Sequence, residues 1–592
     1  MGSRHRGCEL SVKIFTMSKK KKRKKQETVK AVPKGPEFNP FNPPLLPFLL
    51  VLLFQALVFD PKSLDPAAPK ELILAISLSL FGLLAMSLYK RGRKLCLTAI
   101  DKLFLVTMVA TALSEYFRQA KGCGPLWPKL LLLLFLYATA RILFSAMEGL
   151  TICRYLGAFF ATVALLNLVL HFFYPLDWHN TVTIGAATVD AKAPGLVGTF
   201  ANPNYLAGYL LMGVPLLLGV FAISRPADDE HEPTLLEDRV FIGMALLLLF
   251  IGLALTWCRS VWLTAALVAP LAIFIGRRKL EAALGKRARK AQERWAKTWP
   301  RLVALALITI VPLVALGFAA GGGWKILSTS TLAKRMRIAQ VALVELREQP
   351  IFGWGAGRFE GVYSKHRPKN WRETKYPVST RYTHNLLTQA WGALGIAGLI
   401  ILTLLLVQLL KAFGEGFWQR HEHEEGSVTF ANRQGRGLLA LAALAFLLDN
   451  FFNVTLFVSS TSSLFIVILA ALSATHEGDY HIASLGRLII GAAVVGLVAL
   501  MPRLYDDWQI GKMMAEARQG CPPERLSKLR AATKKRPQWV RFSYDVAGRL
   551  AKARRFEEAL DLYEKVDKQV PGYQEVRTNM ATIKQFLSQR RF

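Results

Sequence analysis

An all-α, polytopic helical membrane protein is the fold class this sequence predicts, and three observations predict it. Apolar runs near twenty residues long recur along the chain, among them "LLLLFLYATARILFSAM", "VFIGMALLLLFIGLALTW" and "RLVALALITIVPLVALGFAA". A run of that length crosses about 30 Å of hydrocarbon as a helix, and soluble cores rarely need one. Of 592 residues, 52% are hydrophobic, and the mean hydropathy is positive. The net charge is +34, from 75 Lys+Arg against 41 Asp+Glu, and membrane proteins carry such an excess in cytoplasmic loops. Nucleic-acid binding is the weaker reading of the same charge, so no nucleic-acid partner is expected. The six cysteines (8, 96, 123, 153, 258 and 521) include no Cys-x-x-Cys pair, so neither a metal site nor a disulfide framework is signalled. No cleavable signal peptide is read at the polar, basic N-terminus.

In chain order, residues 1–42 read as a disordered basic cytoplasmic tail. Seven consecutive basic residues run from Lys19 to Lys25, and beside a membrane such a run touches anionic lipid. Met17, just before them, is an alternative start. Residues 43–502 form the membrane domain, with twelve to thirteen spans. They are placed near 44–60, 71–89, 98–117, 129–147, 152–174, 204–223, 239–256, 260–276, 302–320, 386–411, 436–454, 459–474 and 485–502. With the N-terminus inside, "KRGRK" (90–94) and the basic linker 277–301 fall on the cytoplasmic side. The loops 175–203 and 321–385 and the segment 503–592 then lie outside. Between Gly321 and His384 stand twelve Lys/Arg and four Glu. A cationic surface at the outer leaflet suits a lipid-linked phosphate or diphosphate. The tail 503–592 reads as a soluble helical array, because Pro537 and Pro571 lie 34 residues apart, the tetratricopeptide period. Leu529 and Tyr563, then Ala532 and Val566, fall at matching offsets. Such an array docks or packs rather than catalyses.

Several polar residues stand out against this apolar background. In "GLVGTFANPNYLAGYL" (195–210), Pro203 sets a helix start and Asn202 is a plausible cap, with Asn204 beside it. In "TWCRSVWL" (256–263), Arg259 sits in a tight outer turn. There an arginine either snorkels toward headgroups or grips a diphosphate through paired hydrogen bonds. "LAKRMRIAQVALVELREQPIFGWGAGRF" (332–359) opens as an amphipathic helix with Met336, Ile338, Ala339, Ala342, Leu343 and Leu346 along one side. Arg335 and Arg337 lie near its start, to meet a phosphate or to stay solvated, and "GWGAGRF" reads as a flexible turn. "STRYTHNLLTQAWGALG" (379–395) then sets Arg381, His384 and Asn385 at the mouth of a span. Histidine is the usual proton carrier near neutral pH, but an isolated one here is more simply a helix cap. Asp449, with Asn450, lies near the outer end of its span. An intramembrane acid is by default a functional candidate with a cationic partner, for which Arg259, Arg335 and His384 are available.

Taken in order, "GTFANPNYLAGY", "TWCRSVWL", "RMRIAQVALVELREQPIFGWGAGRF" and "HNLLTQAWGALGIAG" resemble the O-antigen ligase and O-antigen polymerase-like membrane glycosyltransferases over roughly residues 100–475. Appended tetratricopeptide-like repeats are familiar in that family. The resemblance implies a C-type glycosyltransferase in the bacterial inner membrane, with its N-terminus cytoplasmic and its C-terminus periplasmic. The implied donor is a glycan on polyprenyl (usually undecaprenyl) diphosphate. The implied acceptor is a lipid A-core, another lipid-linked glycan or a protein hydroxyl. Carried over by motif, Arg259 and Arg335, with Arg337, would hold the diphosphate without a metal or other cofactor. His384 would be the general base of an inverting displacement, with Asn385 orienting it or the acceptor and Asp449 assisting. Asn202, Asn204 and Arg381 would serve the acceptor or the structure. The chain departs from the pattern at Ala393, where an acid is common, and at Thr388, where leucine is common. It also lacks an arginine before Gly-Thr-Phe. A protein O-oligosaccharyltransferase of the same family, a lipid-linked glycan flippase and a non-catalytic scaffold are the alternatives. Flippases usually show internal repeats and broken midplane helices.

Overall fold

The computed structural model describes residues 45–58, 68–88, 97–118, 127–145, 147–173, 179–184, 187–192, 195–200, 202–223, 234–283, 331–368, 380–418, 428–475, 485–519, 523–537 and 539–589. The chain divides into two units, Met1–Pro47 and Phe48–Phe592. Of the first, only the opening turn of a helix is described, and the expected basic tail lies outside the described residues.

Leucine-rich runs become helices α1 (Leu45–Leu57), α2 (Ala68–Leu88), α3 (Ala99–Arg118), α4 (Trp127–Phe144) and α5 (Gly149–Phe173). An antiparallel hairpin follows, β1 (His179–Ile184) with β2 (Ala187–Lys192), Val182 facing Val189. It lies within the loop expected at 175–203, and every other described element is helical. Its alternating Thr and Val suit an extended pleat. Then come α6 (Pro203–Leu211), α7 (Gly213–Ile223), α8 (Thr234–Leu255) and α9 (Arg259–Ala283). The span expected at 204–223 is thus interrupted at Met212, which keeps a right-handed helical backbone; Pro215 has no N–H for the Leu211 carbonyl.

The described chain resumes with α10 (Thr331–Glu348), α11 (Phe359–His366), α12 (Leu386–Leu394), α13 (Ile396–Trp418), α14 (Val428–Asn450), α15 (Ser459–Ala474) and α16 (Leu485–Gln519). The tail adds α17 (Pro523–Lys535), α18 (Val540–Lys552), α19 (Phe556–Gln569) and α20 (Val576–Gln589). The span expected at 302–320 lies outside the described residues, and each of the others falls on helix. Among the described residues, three stretches are long and apolar enough to cross a membrane: Gly149–Phe173, Pro203–Ala222 and Ile396–Gly416. Leu45–Leu57, Val240–Leu255, Arg259–Ala272 and Ser459–Ala474 are shorter apolar helices.

Buried polar ties join the helices at both ends of the bundle. At one end Lys70 is wholly buried, its Nζ donating to the Ala56 carbonyl (2.5 Å) and lying 4.5 Å over the Phe200 ring. The Thr199 hydroxyl donates to the same carbonyl (2.7 Å), while its N–H donates to Asn167 Oδ1 (2.9 Å). Gly198 (φ 53°) fits only as glycine, since a Cβ there would lie 1.9 Å from that Asn167 oxygen. The Gly-Thr-Phe motif is therefore a packing device for α1, α2 and α5. At the opposite end Asp101 and Arg141 form a buried ion pair (3.4 Å), and Tyr137, Thr98 and Ser473 complete its hydrogen bonds. That network closes α3, α4 and α15 together.

Two expectations about the segment 332–359 are corrected. Val341, not Leu343, lies in the buried stripe of α10 with Ile338, Ala342 and Leu346, and Leu343 is exposed. The stripe is rotated because α10 packs on α11 around Trp354, Phe359 and Tyr363. The "GWGAG" segment is not a flexible turn. Gly353, Trp354, Gly355 and Ala356 are buried, and the Gly355 N–H donates to the Gly392 carbonyl (3.0 Å). The Trp391 indole in turn donates to the Pro350 carbonyl (2.7 Å). The segment clamps the end of α12.

Candidate functional site

The first turn of α9 and the last turn of α14 meet through short polar side chains. Ser260 Oγ donates to Asp449 Oδ1 (3.1 Å), and Asn453 Nδ2 donates to that oxygen (2.7 Å) and to Ser260 Oγ (2.8 Å). Asp449 is 0% exposed and Asn453 3%. From α10, Arg335 reaches the same spot, its Nη2 donating to Asn453 Oδ1 (3.0 Å). Burial pulls its guanidinium below the usual value, while Cys258 and Asp449 oppose that shift.

His384 comes from the turn before α12. Its backbone is left-handed (φ 56°), a region non-glycine residues seldom adopt. Asn385 caps α12, its Oδ1 accepting from the Thr388 N–H (3.1 Å). Its Nδ2 donates to the Phe451 carbonyl (3.1 Å), just beyond Asp449. Tyr382 stacks on Phe457 (5.1 Å), and the Thr383 N–H donates to Gln389 Oε1 (3.0 Å). These contacts hold the His384 turn against the α14–α15 connection from both sides. Burial first, and then the charge of Arg335, holds the imidazole down to about 4. It is neutral near pH 7, the form that accepts a proton.

Three side-chain atoms in this cluster are buried without a hydrogen bond among the described residues: Arg335 Nε, His384 Nδ1 and Asp449 Oδ2. Buried polar groups are nearly always satisfied, so three orphans from three segments leave this cluster with hydrogen-bonding capacity that a polar ligand could use. Arg259 opens α9 next to Ser260. Its side chain is exposed and makes no hydrogen bond or ion pair among the described residues, so it is free to turn toward such a ligand.

The other residues singled out in the sequence are placed differently. Arg337 lies roughly 200° round α10 from Arg335 at helical geometry, so the two do not present together. Asn202 is a cap, accepting from the Asn204 N–H (2.9 Å). Asn204 is half-buried on the first turn of α6. Asn450 binds Thr455 Oγ1 (2.9 Å) and the Leu456 N–H (2.8 Å), shaping the connection after α14. Arg381 is exposed, its Nε 3.9 Å from Glu360 Oε2. Sequence reading missed Ser260 and Asn453. The available signal was spacing: Asn453 follows Asp449 by one helical turn, and Ser260 adjoins Arg259.

Among the described residues, one group has the spacing of metal ligands, Glu345, Glu348 and His366. Lys365 Nζ is hydrogen-bonded to both carboxylates there (3.1 and 3.2 Å), so an ammonium already serves their charge.

Compared with known proteins, residues 244–403 match the family model described as O-Antigen ligase, about a quarter of the chain. The match contains Arg259, Arg335 and His384, whereas Asp449 and Asn453 lie beyond it. It supports a membrane transferase of the O-antigen ligase kind, with lipid-linked glycan donors and glycan acceptors in general. No curated protein matches the chain.

Proposed function

We propose that the chain transfers a glycan from polyprenyl (undecaprenyl) diphosphate to an acceptor hydroxyl at the periplasmic face, as an O-antigen ligase or polysaccharide polymerase. The convergence of the unpartnered Arg335, His384 and Asp449 atoms carries this reading. His384 takes the proton of the acceptor hydroxyl as its oxygen attacks the anomeric carbon. The bond from that carbon to the diphosphate oxygen breaks, and the electron pair leaves with the diphosphate. Arg335 and the exposed Arg259 receive the charge that develops there. Attack opposite the leaving group inverts the anomeric centre. Asp449, through Asn453, holds Arg335 in place. A cation pair of this kind supplies the charge stabilisation that other transferases take from a metal.

The arrangement of helix ends supports a multi-pass inner-membrane topology. If the spans alternate from a cytoplasmic N-terminus, the Lys70 tie and the Asp449 cluster fall outside, and the Asp101–Arg141 pair inside. The tail supports a tetratricopeptide-like reading. Leu529 and Tyr563, and Ala532 and Val566, are all buried at the repeat spacing, which suits an array that receives a protein partner.

The test is glycan transfer by purified protein reconstituted in lipid. His384→Ala is expected to lower kcat by at least ~10²-fold, and a wild-type rate would exclude the base assignment. Glycans accumulating in a deletion strain then separate the two activities. Long unattached chains indicate a ligase, single lipid-linked units a polymerase.

A further inference from the structure

The loop that leads into the His384 turn approaches, through Glu360, a contact made by the C-terminal array. Glu360, on α11, is 2% exposed, and its two oxygens meet different parts of the chain. The Tyr573 hydroxyl donates to Oε1 (2.8 Å), and Arg381 Nε lies 3.9 Å from Oε2. Tyr573, 1% exposed, stands in the turn between α19 and α20. Gln574 follows it with a left-handed backbone (φ 48°). Its side chain donates to the Tyr573 hydroxyl (3.2 Å), and its carbonyl accepts from Arg367 Nη2, just past α11. Burial, then the Glu360 carboxylate, pushes the Tyr573 phenol up, so it stays a donor throughout the working pH range. At the other end of the chain of contacts, Arg381 is three residues before His384. Between them Tyr382 and Thr383 are fixed to Phe457 and Gln389.

A carboxylate this buried requires its partners, because losing one leaves an uncompensated charge in the interior. Its partners here come from two segments far apart in sequence, the docking turn of the array and the strand of loop entering the site. We infer that Glu360 is a positioning residue, tying the array through Tyr573 to residues 381–384, so that docking of the array sets where the His384 imidazole stands. This rests on His384 acting in transfer. It goes beyond that reading by giving the tail a part in the geometry of the reaction rather than in recruitment alone.

The test uses full-length protein reconstituted in lipid and two conservative variants. Glu360→Gln keeps an acceptor for Tyr573 and removes the charge facing Arg381. Tyr573→Phe keeps the packing and removes the hydrogen bond. Expected are a fall in kcat of ~10-fold for Glu360→Gln and of a few-fold for Tyr573→Phe, with KM for the donor within ~2-fold, since misplacing a catalytic group by a fraction of an ångström costs rate rather than binding. The double variant should be no slower than Glu360→Gln alone, as members of one chain of contacts are not additive. A second readout is carbethoxylation of His384 by diethylpyrocarbonate, followed by peptide mass spectrometry, whose rate should change in both variants. Should Glu360→Gln not fold, Tyr573→Phe and Arg381→Met carry the same two measurements. Wild-type kcat per folded molecule together with a wild-type His384 modification rate would overturn the inference, whatever happens to Tm. If His384→Ala itself transfers at the wild-type rate, the base reading fails, and the modification rate alone then decides the tie.

Discussion

His384 combines two local costs, a left-handed backbone and a buried nitrogen without a partner among the described residues. Each is worth about 1–3 kcal/mol, and since Asn385 already caps α12, they point to a task outside the apo chain. The low proton affinity has a sign that can be followed. With the folded value at about 4, below the ordinary 6.5, the unfolded chain takes up this proton first as pH falls. The contribution of His384 to stability is therefore whole above 6.5, declines between 6.5 and about 4, and is level below. In pH profiles, the acid limb of kcat/KM, which reports free enzyme, should fall near pH 4. A bound diphosphate offsets the Arg335 charge and raises the imidazole, so the limb of kcat should lie at higher pH. Coincident limbs would mean that the donor does not sit between the two side chains. The motif made this histidine legible in the sequence. Its low proton affinity was not, because that comes first from burial in the fold and then from the charge of Arg335, which arrives from another helix.

Helices were legible wherever leucine-rich runs were long, and their interruptions were not. The span expected over 386–411 is two helices broken at Gly395 (φ 66°), where a Cβ would lie 1.9 Å from the Ile351 carbonyl oxygen. The Ile396 N–H donates to that same oxygen (3.0 Å), so the break is held by the segment after α10. Long-range backbone contact of this kind leaves no periodic trace in sequence. Gly395→Ala combines that clash with a backbone region alanine avoids. It should destabilise the protein by more than ~1 kcal/mol, read as a lower Tm in detergent. Transfer by the folded remainder should fall too, because α12 carries Asn385 at its start. An unchanged Tm would show that α10 and α12 can part without cost. The rotated stripe of α10 has a similar origin. Periodicity identified a helix with one apolar side, but the packing of Trp354 and Phe359 decided which residues faced inward.

Among the described residues, the polar ties made by Lys70 and by Asp101 join helices at opposite ends of the bundle. If the spans alternate as proposed, the exposed Phe352 lies outside and the exposed Ser145 inside. In a variant lacking the six native cysteines, Phe352→Cys should react with a membrane-impermeant maleimide in intact spheroplasts. Ser145→Cys should react only after permeabilisation, and labelling of both from one side would refute the alternation. The connection from α14 to α15 has a further consequence. It supplies Asn453 to Arg335, the Phe451 carbonyl to Asn385 and Phe457 to Tyr382, yet it lies past residue 403, where the family match ends. The matched segment is therefore not portable. Grafted into another scaffold, residues 244–403 would bring the histidine and both arginines but none of the floor they rest on, so a chimaera needs the host to be exchanged through Ser459 before it can work.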